Sequence, residues 1–299
     1  MMKIALLILL TIVVLFMWSD FIYSCVIASH VRKWEASIRW DDDGVRTGCR
    51  AFSTGEGDVG LLLVHGINDT PKIWHKMAPV LAGHGLHCRA MRLPGFAQRT
   101  SEYAEATIPQ WMAAIETELA DLRAAHAKVC IVAHSLGGAI VINYLLEHPE
   151  AAEKVVLIAP AVGVSDERSP LLTARAWNTV SGRLMLFTSV TESPYPNDTS
   201  DPVEQDYPWR TSFCPRSITN HTFELLDRIA ADGSAFRTPM MMVLSKKDKV
   251  VDWKASKDFY DEAASTEKQI EYMKDTGHAI PVDYGWEELS EKIAEFCRE

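Results

Sequence analysis

The chain has 299 residues, of which 47% are hydrophobic and 23% charged, an ordinary composition for one large globular domain or two small ones. Its formal net charge of −10 argues against nucleic acid as a partner, because the phosphates would repel an acidic protein. The six cysteines form neither a C-x-x-C pair nor a zinc-binding pattern, so no metal site is indicated.

The N-terminal segment, residues 1–30, is predicted to lie outside the fold. Residues 4–18 and 21–28 are almost entirely apolar, and together they reach the roughly 20 residues that a bilayer requires. We favour a single membrane anchor with Asp20 near an interface. The alternatives are a cleaved signal peptide, which would make the protein secreted or periplasmic, a lipoprotein signal ending at Cys25, and a helix buried in the fold. Positive charges flank both ends, so the side of the membrane on which the domain lies stays open.

Residues 31–299 are predicted to form the folded domain, beginning with an antiparallel edge. Residues 31–40 and 45–52 are expected to be short strands, because the acidic, glycine-ended stretch between them is typical of a turn. Residues 60–64 follow as a continuous apolar run, which is typical of a strand buried on both faces. The domain is therefore expected to enter a larger sheet from its edge.

Strands and helices then alternate to the end of the chain. Asp69 or Thr70 can cap a helix that has Pro71 in its first turn and ends near His84. The other predicted helices are 108–127, 253–264 and 286–297, and the other predicted strands are 86–91, 129–133, 153–159, 239–245 and 269–273. This alternation predicts an α/β fold with a mainly parallel sheet and helices on both faces, whose strands all end at one edge.

Residues 161–237 interrupt the alternation and are predicted to form a cap inserted over the site. The stretch is too long for a simple connection, and helices are expected near 171–180 and 218–231. Aromatic side chains are interleaved along it, and such side chains favour an apolar surface that they can cover. The alternative is an ordinary surface excursion.

A strand, a tight turn and a helix surround Ser135. Residues 129–133 are an apolar strand, residues 134–138 read H-S-L-G-G, and a helical pattern continues to Leu146. This order is the context that a nucleophile elbow requires, in which small neighbours permit a sharp turn. Ala133 occupies the first position of the usual G-x-S-x-G pattern, and alanine is small enough for the turn to survive.

A serine nucleophile needs a base, and the base needs an acid. His278 follows the last predicted strand and Asp248 follows the strand before it, so both are expected at the same sheet edge as Ser135. Asp252 is the rival acid, but it resembles the N-cap of the next helix. The chain order Ser–Asp–His is the one expected for this arrangement.

An oxyanion hole and nearby contacts are predicted beside the serine. The backbone N–H groups of Leu136 and Ile67 are the expected donors, and Gly66 allows the backbone to approach the substrate closely. Gly66 and His134 are the candidate substrate-binding residues. His65 and His134 are expected to pack or to form hydrogen bonds rather than to act as the base.

These motifs resemble those of serine α/β-hydrolases, and within them the branch of monoacylglycerol lipases and carboxylesterases that is also grouped with serine aminopeptidases. The resemblance is carried by the sequences at 61–71, 91–96, 132–138, 245–252 and 276–283. It implies the α/β-hydrolase fold, a Ser135–His278–Asp248 triad, no metal and no organic cofactor. It specifies the substrate poorly.

Hydrolysis of carboxylic esters, with an acyl or lipid-like chain, is the leading functional hypothesis. A peptidase or amidase on the same triad is the alternative, and it would need an acidic group, such as Glu192 or Glu204 in the cap, to hold a substrate amine. A membrane-tethered binding protein that kept the fold and lost the reaction is the third.

Overall fold

A sheet of seven strands lies at the centre of the computed structural model, which describes residues 2–169 and 171–299. The strands of the chain are β1 (Phe52–Thr54), β2 (Val59–Val64), β3 (Leu86–Ala90), β4 (Lys128–His134), β5 (Lys154–Ile158), β6 (Val190–Glu192), β7 (Phe213–Pro215), β8 (Met240–Ser245) and β9 (Lys268–Met273). The spatial order is β1-β3-β2-β4-β5-β8-β9, and β6 pairs with β7 apart from the sheet. Because β1 alone runs antiparallel to its neighbour, the sheet is mainly parallel, as predicted.

The helices cover both faces of this sheet. They are α1 (Met2–Ser37), α2 (Met77–Gly83), α3 (Thr100–Glu105), α4 (Ile108–Ala125), α5 (Leu136–Glu147), α6 (Ala174–Leu184), α7 (Pro202–Gln205), α8 (Arg216–Asp232), α9 (Trp253–Glu262) and α10 (Trp286–Arg298). Helices α2 and α10 pack together against the sheet, while α4, α5 and α8 form another packed layer. The central strands are buried throughout, which explains why they are continuous apolar runs rather than alternating ones.

The first part of the domain differs from the prediction. Residues 31–40 are not a strand, because α1 continues without a break to Ser37, and the predicted domain boundary at residue 30 lies inside this helix. No glycine or proline occurs before Asp41 that could end the helix, and residues 31–37 are ones that a helix accommodates. The strand predicted over 45–52 is reduced to an isolated bridge between Trp40 and Arg46, and β1 begins at Phe52.

The helix predicted over 69–84 is divided. Residues Pro71–Trp74 form a short 3-10 turn, whose N-cap Thr70 accepts a hydrogen bond from the backbone N–H of Lys72, and α2 begins at Met77. The buried side chain of Trp74 packs into the core below this turn.

Between β5 and β8 the chain leaves the sheet, and residues 161–237 are called the cap below. The cap contains α6, α7, α8 and the β6–β7 pair. Helix α8 packs on α5 through an apolar face, whereas α6 has no buried residue. The cap is therefore attached through α8, and its outer helix is largely exposed.

Helix α1 has two different halves. Residues Lys3–Ser37 have a mean hydropathy of 2.5 in their most apolar window, of which 6% is buried, so the helix is long and apolar enough to cross a membrane. Asp20 and Ile27, by contrast, are buried.

Candidate active site

Ser135 occupies the turn between β4 and α5. Its φ of 55° is positive, which is unusual for a residue with a side chain and typical of a strained functional turn. A Cβ on Gly137 would lie 2.5 Å from the carbonyl oxygen of His65, and a Cβ on Gly138 would lie 2.7 Å from the Cβ of Pro160. Both positions therefore require glycine for the helix to approach its neighbours.

Ala133 fits this turn without displacing it. It is fully buried in β4, in register with Val64 of β2 and Leu157 of β5. The departure from the usual glycine therefore adds one methyl group to a packed strand, and Ser135 still lies 2.8 Å from Nε2 of His278.

The structure brings Ser135, His278 and Asp248 into one hydrogen-bonded line. The Oγ of Ser135 lies 2.8 Å from Nε2 of His278, and Nδ1 of His278 lies 2.7 Å from Oδ2 of Asp248. With Asp248 ionised, Nδ1 carries the proton, and Nε2 is free to accept the serine hydroxyl. All three side chains are nearly buried.

The backbone around Asp248 fixes its carboxylate. Oδ1 accepts the N–H groups of Val250 and Val251 at 2.8 and 2.9 Å, which leaves Oδ2 for His278. Asp252 lies outside the line and caps α9 by accepting the N–H of Lys254. The geometry therefore distinguishes the two rival acids.

The predicted oxyanion donors lie on either side of Ser135. Ile67 and Leu136 both line the cavity that contains the serine, and Leu136 begins α5. Within residues 2–169 and 171–299, neither of these backbone N–H groups donates to another protein group. Both are thus available to an oxygen that becomes negative beside Ser135.

Gly66 brings the Ile67 loop against the serine. A Cβ on Gly66 would lie 2.8 Å from the Cβ of Ser135 and 3.3 Å from its Oγ. The lack of a side chain at Gly66 permits this close approach, and the residues that line the cavity include its neighbour Ile67.

His65 and His134, which flank the site, both stay neutral because they are buried. Burial lowers the pKa of His65 to about 4, and burial together with the nearby His278 holds the pKa of His134 well below its ordinary value. His65 accepts the N–H of Leu93 at Nε2 and donates from Nδ1 to the carbonyl of Gly66.

His134 packs and forms a hydrogen bond, as expected of it from the sequence. Its Nε2 donates to the backbone carbonyl of His278 at 3.0 Å, and the side chain is absent from the cavity wall. The two rings are tilted against each other with centroids 4.8 Å apart, so His134 packs on His278 and supports its backbone. The substrate contact expected of His134 stays a prediction.

A buried carboxylate of the cap, which sequence reasoning missed, supports both loops. Oδ2 of Asp198 accepts the backbone N–H of Lys249 and that of His278, each at 3.0 Å. Its Oδ1 accepts from Arg168 at 2.8 Å. Asp198 thus joins the loop that follows Asp248, the loop of His278 and the cap.

Asp283 acts in a similar way on the same loops. It is fully buried and accepts the N–H groups of Gly277, Ser200 and Asp201 at 2.7, 2.8 and 3.0 Å. One loop of the cap is therefore held against the His278 loop by two carboxylates. Asp283 ends the motif at 276–283, but nothing in the sequence near either aspartate indicates which backbone N–H groups it accepts.

Asp69 is a buried carboxylate with fewer partners. Burial raises its pKa to about 7, although its Oδ1 accepts the N–H of Thr70 at 2.8 Å and Arg210 lies near enough to favour the charged form. Asp69 therefore carries a proton more readily than an ordinary aspartate.

The cavity above Ser135 has a volume of about 360 Å³ and opens between the sheet edge and the cap. Apolar groups dominate its wall. Its lining includes Ile67, Leu136, Ala161, Val164, Trp177, Met185, Thr188, Thr191, Arg216, Phe223, Val250 and Val251. An apolar chain bound to a carbonyl group at Ser135 would be covered by these side chains.

The carboxylates suggested for an amine-binding site are engaged elsewhere. Glu192 lies 2.8 Å from Nδ1 of His30, and Glu204 forms an ion pair with Lys76 at 2.8 Å. Neither lines the cavity, whereas Arg216 does. Among the residues that the structure describes, no group of three or more histidines, cysteines, aspartates or glutamates could hold a metal ion.

The mainly parallel sheet, the serine at the turn into α5 and the histidine and aspartate after later strands define the protein as an α/β-hydrolase. The chain belongs to the family described as serine aminopeptidase, S33, whose model matches residues 57–284. It is 26% identical over 253 residues to the thermostable monoacylglycerol lipase of Bacillus sp. (strain H-257), a match that covers 84% of this chain and 95% of that protein.

Solved structures show the same fold. The monoacylglycerol lipase of Paleococcus ferrophilus superimposes with a TM-score of 0.71 at 21% identity, covering 83% of this chain and 97% of that chain. A chain from work on the metagenome-derived lipolytic enzymes LipS and LipT gives a TM-score of 0.74 at 21% identity, covering 85% and 99%. These similarities extend the α/β-hydrolase fold over more than four fifths of the chain.

Proposed function

We propose that the protein hydrolyses carboxylic esters with an acyl or lipid-like chain, through an acyl-enzyme on Ser135. The observation that carries this proposal is the line Asp248–His278–Ser135 below an apolar cavity. The similarity to monoacylglycerol lipases supports the substrate class.

Two chemical steps follow from this geometry. In the first, Nε2 of His278 takes the hydroxyl proton while Oγ of Ser135 attacks the ester carbonyl, and the resulting oxyanion is stabilised by the N–H groups of Ile67 and Leu136. Collapse breaks the ester bond, and His278 protonates the leaving alcohol. In the second step His278 removes a proton from water, which attacks the acyl-enzyme, releases the acid and restores Ser135.

An ester is favoured over a peptide with a free amine by the charges around the cavity. A substrate ammonium group needs an acidic partner, but Glu192 and Glu204 pair with basic side chains outside the cavity wall. The guanidinium of Arg216 would repel an ammonium group there.

A membrane location suits such a substrate. We propose that the exposed apolar residues 4–18 of α1 lie in a bilayer and anchor the hydrolase to it. Burial of this segment in lipid would remove its apolar side chains from water.

The proposal is tested on the full chain in detergent micelles with a fluorophosphonate probe, beside the Ser135→Ala variant. We expect labelling of the wild type and at least about a 10⁴-fold loss of ester turnover in the variant. A panel of esters of increasing acyl length, with matched anilides, then defines the substrate. Absence of labelling in folded protein would contradict catalysis, and faster cleavage of the anilides would favour an amidase.

A further inference from the structure

Helix α1 carries a carboxylate that is buried against the cap. Asp20 is 4% exposed, although Trp18 and Phe21 beside it are 62% and 44% exposed. Its Oδ2 accepts the backbone N–H of Phe187 at 2.8 Å, and its Oδ1 accepts the hydroxyl of Thr188 at 2.7 Å. A charge in this apolar helix is therefore satisfied by the cap.

Contacts continue along the same side of the helix. The ring of Phe21 lies edge-on to that of Phe187, with centroids 5.6 Å apart. One turn after Ile27, which is 5% exposed, Nδ1 of His30 lies 2.8 Å from Glu192. Trp34 packs on Phe213 with ring centroids 5.6 Å apart. The helix is thus held at several points between Asp20 and its end, in a manner unlike a flexible tether.

The segment that Asp20 holds also forms a wall of the cavity. Met185, Thr188 and Thr191 line the cavity above Ser135, and Thr188 is the residue whose hydroxyl donates to Asp20. On the other side Arg216 donates to the carbonyl of Met185 and through its backbone N–H to that of Ser189. Helix α1 and Arg216 therefore fix the same segment from two directions.

We propose that α1 remains part of the mature hydrolase and that Asp20 is a positioning residue for the cavity wall at 185–191. The hydrogen bonds of Asp20 with Phe187 and Thr188, called the clasp below, hold this wall at the lipid surface in which residues 4–18 lie. A leader removed by cleavage would leave the N–H of Phe187 and the hydroxyl of Thr188 without their acceptor and would expose Phe187 further. The substrate consequence rests on the proposed function, whereas the attachment of the helix does not.

The clasp should affect only those substrates that contact the cavity wall at 185–191. A long acyl chain extends from Ser135 along the cavity and contacts 185–191, whereas an acetyl group ends beside the serine. Loss of the clasp is therefore expected to affect long-chain esters selectively, because the carbonyl and the Ser135–His278–Asp248 line are unchanged.

The first test compares Asp20→Ala with Thr11→Ala in the full chain in lipid nanodiscs. Thr11 is the matched control, because its hydroxyl bonds to the carbonyl of Leu7 within the same helix. We expect Asp20→Ala to raise KM for a long-chain ester about 10-fold, the effect of losing hydrogen bonds to a buried charge, with kcat/KM for an acetate ester within about twofold of wild type. Asp20→Asn, which keeps one acceptor oxygen, should restore part of the loss. Equal KM values for Asp20→Ala and Thr11→Ala would overturn the proposal.

The second test does not require activity. The measured mass of the mature protein recovered from membranes should correspond to a chain that retains residues 2–20. In addition, a Phe21→Cys/Phe187→Cys pair in a Cys25→Ser background should cross-link with a short bis-maleimide. A mature chain that begins after Asp20, or an uncross-linked pair in folded protein, would overturn the attachment of α1. Failure of fluorophosphonate labelling with efficient cross-linking would instead contradict the proposed function alone.

Discussion

The turn at Ser135 and the cap meet at one cavity, but different interactions position them. The turn is set by residues adjacent in sequence, namely a buried strand, a strained serine and two glycines that admit close packing. The cap packs through the apolar face of α8, and one of its loops is held by carboxylates that bond to backbone N–H groups of distant segments, as Asp198 does for Lys249 and His278.

This difference separates two kinds of variant. Changes at the turn should reduce turnover of every ester, because the reacting atoms are displaced. Changes at the carboxylates of the cap should have smaller effects, because each removes a support and leaves the reacting groups in place.

The largest expected difference is between the two rival acids at the sheet edge. Asp248→Asn should lower kcat by about 10³- to 10⁴-fold, because the neutral amide neither favours the required tautomer of His278 nor stabilises its charged form. Asp252→Asn should change kcat less than about threefold, since asparagine is also a good N-cap. Both are measured as steady-state hydrolysis of one soluble ester. The opposite ranking would show that the acid has been assigned to the wrong residue.

Gly66→Ala tests the close approach at the turn. The new Cβ would lie 2.8 Å from that of Ser135, so the serine or the Ile67 loop must move, and kcat should fall about 10²-fold. Gly83→Ala is the matched control, because a Cβ there meets nothing within 4 Å. Wild-type kcat in Gly66→Ala would mean that the loop can shift without loss of the oxyanion donors.

Asp198→Ala tests the support that the cap gives to the loops of the acid and the base. Loss of its hydrogen bonds should lower kcat about 10-fold with little change in KM, because the base is less well oriented while the cavity wall remains. Asp206→Ala, at an exposed carboxylate of the same cap, is the control. Asp198→Asn should recover part of kcat, since its amide oxygen can still accept. A fall confined to thermal stability would reduce Asp198 to a structural role.

Asp69 is tested through stability rather than turnover, because, unlike Asp198, it accepts no N–H from the loops of Asp248 and His278. Burial raises the pKa of Asp69 from 3.8 to about 7, so the folded protein binds this proton more tightly than the unfolded chain does. The contribution of this group to stability is therefore full below pH 4 and is lost as the pH rises to 7, by up to about 4 kcal/mol.

Asp69→Asn should remove this loss, since the amide keeps an acceptor for Thr70 and carries no charge. Denaturant unfolding at pH 5 and pH 8 should show the variant gaining stability relative to the wild type at the higher pH. An unchanged difference between the two pH values would show that Asp69 is charged in the folded protein.

Local patterns were sufficient to predict much of this protein. The buried strands are continuous apolar runs, and the order of Ser135, Asp248 and His278 after successive strands predicted that they would share one edge of a parallel sheet. The predicted oxyanion donors, Ile67 and Leu136, follow from the same topology. These features depend on residues that are close in sequence or on the general rule that parallel strands end together.

The tertiary structure decided the rest. Residues 31–37 continue α1 instead of forming a strand, and this helix packs on the cap. His134 supports the backbone of His278, and Asp20 and Asp198 support segments far away in the chain. The sequence by itself determined the turn at Ser135 and the buried strands of the sheet. It did not determine the partners of these carboxylates. Every residue except proline has a backbone N–H group, so a side chain that bonds to such groups places no requirement on the type of residue it contacts.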